Sequence, residues 1–190
     1  MSHYVALVLI NAPTLTREQA EQAVKAAIGA YDEDLETEPR RIYLDPGDMI
    51  NMAEHYKVPC EPSALMPHVG DWHGIPGALD ERGDLYYMTT RNENGRWDWW
   101  QIGGRWTGWL AGYDPTTDPY DRDVFPVREI ASGKTPHAVV TPDGEWHEAG
   151  RMGLFATVHD EKAEELWTEE VNALLAKYQD CIAVAVDCHI

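Results

Sequence analysis

Two periods of apolar residues run through this chain. Residues 4–10 (Tyr-Val-Ala-Leu-Val-Leu-Ile) and 181–186 (Cys-Ile-Ala-Val-Ala-Val) are short apolar runs, too brief for helices and rich in β-branched side chains, so both read as buried strands. A 3.6-residue period follows each time. Thr16 with Gln19 matches a capping box, and Ala20, Val24, Ala27, Ile28 and Tyr31 then recur on one helical face, which predicts a helix over 16–31. Ala163, Leu166, Trp167, Val171, Leu174, Leu175 and Tyr178 form a second stripe, which Asp160 is placed to cap. Weaker extended segments lie at 40–44, ahead of a turn at Asp45-Pro46-Gly47, and at 153–158. Segments 138–141 and 145–148 flank Pro142-Asp143-Gly144 and read as a hairpin.

Strand, helix and strand at each end predict an α+β fold: a ferredoxin-like split βαβ core with both helices on one face of a mainly antiparallel sheet. One domain over 1–190 is expected, with its core at 1–46 and 136–190 and a long insertion at 47–135 rich in Trp, Gly and Pro. Such an insertion is too long for a plain connection, so function is expected within it.

Charge narrows the functional classes. The 33 acidic and 15 basic side chains give a net charge of −18, which repels phosphate backbones and disfavours ordinary nucleic-acid binding. Carboxylates in such excess also fit a nucleic-acid mimic that occupies a basic cleft on another protein. No apolar run approaches the roughly 18 to 20 residues of a membrane span, and no basic leader precedes the first strand, so a cytoplasmic protein is expected. The three cysteines, Cys60, Cys181 and Cys188, form no metal-binding or disulfide spacing, and reduced thiols are expected. Neither a phosphate loop nor a dinucleotide fingerprint occurs, so no cofactor is assigned. An open face of the sheet would suit a homodimer.

Chemistry concentrates at 91–110, which holds five of the eight tryptophans. Alternation along an extended 97–102 puts Trp97, Trp99 and Gln101 on one face and Asp98, Trp100 and Ile102 on the other. Gly103 and Gly104 then permit an elbow before Arg105 and Trp106. One reading is a satellite core, with Arg105 stacked on an indole and paired with Asp98. The other is a ligand site: N–H groups at Gly103-Gly104 and the Arg105 guanidinium hold an anion, while Trp97, Trp99 or Trp106 stacks on a planar group.

The block Trp97-Asp98-Trp99-Trp100-Gln101-Ile102-Gly103-Gly104-Arg105-Trp106, with the ending Val186-Asp187-Cys188-His189-Ile190, resembles small uncharacterised proteins of actinobacterial phages and some bacteria. Pro142-Asp143-Gly144-Glu145-Trp146 adds a weaker likeness. The resemblance implies a phage-like accessory protein and transfers no catalytic residue.

Asp187 and His189 lie two apart on the last strand and share a face, with Cys188 on the other. Carboxylate and imidazole suit a base with its orienting group, or two legs of a metal site to which His159 would add, although no metal site is assigned. Asp71-Trp72-His73-Gly74 makes His73 a further candidate for ligand binding. Three functions follow. The first is an accessory protein whose Trp/Arg-rich insertion binds a protein partner or a small anionic ligand. The second is a hydrolase of phosphorylated or nucleotide-like substrates, with Arg105 as anion clamp and Asp187 with His189 in acid–base roles. Acidic mimicry of nucleic acid is the third.

Overall fold

A computed structural model describes residues 2–111, 116, 122–130, 133–153 and 157–190. The elements are strands β1 (His3–Ile10), β2 (Arg40–Tyr43), β3 (Gly77–Leu79), β4 (Leu85–Thr89), β5 (Trp99–Ile102), β6 (Val124–Pro126), β7 (Ala138–Val140), β8 (Trp146–Glu148), β9 (Arg151–Met152), β10 (Val158–His159) and β11 (Ile182–His189). The α-helices are α1 (Arg17–Ile28), α2 (Pro46–Tyr56), α3 (Pro62–Leu65), α4 (Val69–His73) and α5 (Glu164–Lys177). The fold is mixed α+β with mostly antiparallel sheets. It divides into two compact units, one of residues 1–35 and 93–190 and the other of 36–92, so the boundaries differ from the expected insertion at 47–135.

The larger unit is built on a six-stranded sheet in the order β5-β11-β1-β7-β8, with β6 also paired to β11. β1 and β11 run antiparallel over eight residue pairs, from His3 opposite His189 to Ile10 opposite Ile182. β1 and β7 are directly adjacent and parallel. In the expected split arrangement the second strand of the hairpin would separate them, but here β8 lies outside β7 at the edge.

The helices also depart from expectation, because they cover opposite faces. Ala20, Val24 and Ile28 of α1 pack on Tyr4, Ala6, Val8, Val184 and Val186, whereas Trp167 and Val171 of α5 pack on Leu7, Leu9, Ala183 and Ala185. The cause is visible in the strands. β1 and β11 are apolar at consecutive positions rather than alternate ones, as a sheet buried on both faces requires.

Local chemistry sets the element ends. Thr16 and Gln19 form the expected capping box, and α1 gives way to a 3₁₀ turn at Gly29–Tyr31. The hairpin at 142–144 is present, with Thr141 Oγ1 bonded to Asp143. Asp160 does not cap α5. It takes a left-handed φ of 52°, and the helix begins only after Ala163, leaving Leu166 62% exposed. Of the strand expected at 153–158, only Val158 is in a strand, as the start of β10, which pairs antiparallel with β9 just before the segment, while residues 154–156 lie outside the described residues.

The smaller unit has the sheet order β2-β4-β3, and Leu44, Met52, Leu65, Val69 and Leu85 form its core. β2 therefore belongs to this sheet and not to the main one. Asp45-Pro46-Gly47, read above as a turn, starts α2: the Asp45 carboxylate accepts from the N–H of Gly47 at 2.7 Å and of Asp48 at 3.0 Å, with Pro46 in the first turn. No helix among the described residues is long and apolar enough to cross a membrane.

Candidate active site at the end of the six-stranded sheet

The register of three strands gathers the site. His189 stands opposite His3 on β1 and opposite Trp99 on β5, so Trp99, His189 and His3 form one row across the sheet. Asp187, two residues back, shares their face, and Cys188 lies on the other side as expected. Burial and the neighbouring Asp187 charge push the Cys188 thiol far up, which makes it an interior group and not a nucleophile.

Each histidine of the row has its own carboxylate. His3 Nδ1 lies 2.9 Å from Asp187 Oδ1, and His189 Nδ1 lies 2.5 Å from Asp98 Oδ1. The two rings meet edge to face with centroids 4.9 Å apart, and the Trp99 ring stands 6.4 Å from that of His3. An imidazole that donates its Nδ1 proton to a carboxylate presents Nε2 as a base, or as an acid once protonated. His189 Nε2 is buried and has no hydrogen-bond partner among the described residues.

Asp187 has no exposed surface, and its second oxygen accepts the backbone N–H of Arg105 at 3.0 Å. That contact corrects the expected role of the glycine elbow. Gly103 N–H is taken by the Ala185 carbonyl at 2.9 Å, so the anion this turn holds is the protein's own Asp187. The positive φ angles of Gly103 (72°) and Gly104 (56°) make the approach possible, since a methyl group on Gly104 would overlap the Asp187 carboxylate. A second buried carboxylate, Asp123, receives the Gly108 N–H at 2.8 Å, and burial raises its pKa.

The tryptophans of the block divide between core and site. Trp97 is 8% exposed and donates Nε1–H to the Ile28 carbonyl at 3.0 Å, so it belongs to the core on the α1 face. Trp99 is 46% exposed. Trp106 and Trp109 meet edge to face at 5.9 Å and, with His3, line a cavity of about 350 Å³. The Arg105 side chain is exposed and has no ion pair among the described residues, so Asp98 serves His189 rather than Arg105.

Two other candidates lie elsewhere. His159 is on β10, in the separate β9–β10 hairpin. His73 belongs to the smaller unit, where it stacks on Tyr87 at 4.7 Å with Nε2 3.5 Å from Asp48. No group of three or more His, Cys, Asp or Glu side chains suited to a metal ion occurs among the described residues.

His3 escaped the sequence reading, although a signal was there. Histidines stand at the outer ends of the first and last apolar runs, and antiparallel neighbours would place such ends side by side. Compared with known families, curated proteins and solved structures, the chain matches none.

Proposed function

We propose that this protein is an acid–base hydrolase of small phosphorylated ligands, working at the end of its six-stranded sheet. The observation that carries the reading is the pair of facing imidazoles, each held at Nδ1 by a carboxylate, with His3 on the wall of a tryptophan-lined cavity. His3, which lines that cavity, activates the attacking water with Asp187 as its orienting group, and His189, oriented by Asp98, carries the second proton. The exposed Arg105 guanidinium holds the phosphate, and Trp99 flanks the bound ligand.

The test is phosphate release from a panel of phosphomonoesters and phosphodiesters. Wild-type protein turns over at least one of them, and His3→Asn and His189→Asn each lower kcat by about 100-fold or more, the scale of general acid–base catalysis. Arg105→Ala acts chiefly on KM. Absence of turnover across the panel, or a His3→Asn variant as active as wild type, would overturn the proposal.

A second reading rests on the exposure of Trp99 on an edge strand. In it the protein is a phage-like accessory factor that captures a partner or an anion without turnover, using aromatic and arginine side chains typical of binding hot spots. Trp99→Ala and Arg105→Ala then abolish capture while His3→Asn leaves it intact.

A further inference from the structure

Lysine and arginine are absent from the described lining of the cavity beside His3. Its one carboxylate is Glu164, the first residue of α5, which is exposed and forms no ion pair among the described residues. The two histidines of the wall add no free positive charge. His3 shares Nδ1 with the Asp187 carboxylate, and burial lowers the pKa of His137 and keeps that ring neutral. The net charge of −18 likewise favours cations over anions at this surface.

The walls favour the same sign. Trp106, Trp109 and Trp167 all line the cavity, and the planes of Trp106 and Trp109 stand 68° apart with centroids 5.9 Å from each other, as adjoining walls. The face of an indole carries negative charge density and attracts a cation within about 6 Å of its centroid. Two of the three rings already hold an ammonium in this way: Lys134 Nζ lies 5.0 Å from the Trp109 centroid and Lys162 Nζ 4.9 Å from that of Trp167. Neither lysine lines the cavity, and Lys162 is also held by Glu170 at 2.7 Å.

Hydrogen bonding narrows the type of cation. A protonated amine brings N–H groups that each need an acceptor, whereas an indole N–H can only donate, and the Pro136 carbonyl is taken by Trp167 Nε1 at 2.8 Å. A quaternary ammonium has no N–H and is matched by aromatic faces with one carboxylate. A volume of about 350 Å³ lies near the low end of the range for small-molecule sites, roughly 300–1,000 Å³.

We infer that this cavity is an aromatic cage for a small quaternary ammonium ion, walled by Trp106, Trp109 and Trp167, with Glu164 as its counter-charge. The site needs no turnover and stands apart from the phosphoester reading.

The experiment follows the indole N–H signals of the ¹⁵N-labelled full chain by NMR, with those of Trp106 and Trp109 assigned from their phenylalanine variants. The chain is titrated with choline and, separately, with 3,3-dimethylbutan-1-ol, which has the shape of choline without its charge. Choline shifts the Trp106 and Trp109 signals saturably and binds at least about tenfold more tightly than the neutral alcohol. Trp106→Leu keeps an apolar wall without the ring and lowers choline affinity about tenfold, while affinity for the alcohol stays within about twofold. Two charge changes outside the core act in opposite directions. Glu164→Gln weakens choline binding about threefold, and Lys134→Gln, which takes an ammonium off the Trp109 ring, strengthens it by a similar factor. Melting curves confirm that each variant is folded, and the charge variants alone suffice where Trp106→Leu is not. Equal affinity for choline and the alcohol, no saturable shift at either indole, or undiminished choline binding by a folded Trp106→Leu overturns the inference. The reversed order of the two charge variants also overturns it, because it would mark a site for anions.

Discussion

His3 Nδ1 meets Asp187 Oδ1 at 2.9 Å, which joins residues 184 positions apart across the β1–β11 pair. The carboxylate is wholly buried, and its other oxygen takes the Arg105 N–H, so the three groups hold one another in place. A buried hydrogen bond to a carboxylate adds little net stability, because desolvation of the carboxylate offsets much of the attraction. What this pair supplies is orientation. With Nδ1 tied to the carboxylate, the His3 ring is fixed with Nε2 as its free nitrogen.

Asp187→Asn separates that role from packing. The amide keeps the shape and one oxygen for Arg105 N–H, while its NH₂ can only donate to His3 Nδ1, which reverses the tautomer and leaves Nε2 protonated. Folding stability should drop by only about 1 kcal/mol in urea unfolding. Turnover should drop about 100-fold or more, and ¹⁵N shifts of the imidazole should report the reversed tautomer. An active variant with the wild-type tautomer would show that Asp187 does not orient His3.

Gly104 and Gly29 should respond in opposite directions to alanine. Gly104 has φ +56° and a methyl there meets Asp187, so Gly104→Ala should lose at least about 1 kcal/mol and disturb the site. Gly29 has helical angles (φ −60°, ψ −29°) with nothing near its missing methyl, so Gly29→Ala should gain about 0.4–1 kcal/mol. Thermal melts of the two variants check this, and equal effects would contradict the assigned geometry.

The elements that were legible in the sequence are those specified by local pattern: β1, α1 with its Thr16 cap, the 142–144 hairpin, α5 and β11. The layering was legible too, since unbroken apolar runs at 4–10 and 181–186 signal a sheet covered on both faces, but the strand–helix–strand order suggested a single covered face. Pairing partners were not legible, because β5 and β6 join β11, and β2 joins β4, through contacts between distant residues. Asp45-Pro46-Gly47 shows a further limit, as the same residues that favour turns also start helices. At the site, Asp187, His189, Asp98 and Arg105 stood out by type, whereas His3 emerges only once the strand register is known. An indole reads alike in a core and in a pocket, so the Trp97–Trp106 block could not be divided from sequence.

Phenylalanine at two of those tryptophans tests the division. Trp97→Phe loses the bond to the Ile28 carbonyl and leaves a void on the α1 face, at a cost of about 2 kcal/mol. Trp99→Phe alters a half-exposed ring and should change stability by less than about 0.5 kcal/mol. Chemical unfolding should therefore separate them clearly, and only Trp99→Phe should shift ligand affinity in a fully folded protein.

The last expectation concerns acid. Burial lowers the pKa of His137, with the Gly150 backbone and the nearby Glu148 and Glu161 charges acting partly against it. A lowered value means that the unfolded chain takes up the proton first, so stability falls as pH drops below the ordinary histidine value of about 6.5 and levels off only beneath the folded-state value. His137→Gln removes this titration while the other acidic and imidazole groups stay the same. The stability difference between wild type and variant should thus be greatest near pH 7.5 and shift steadily against wild type toward pH 5, as urea unfolding at a series of pH values would show. Parallel stability curves for the two proteins would mean that His137 is not held neutral by burial.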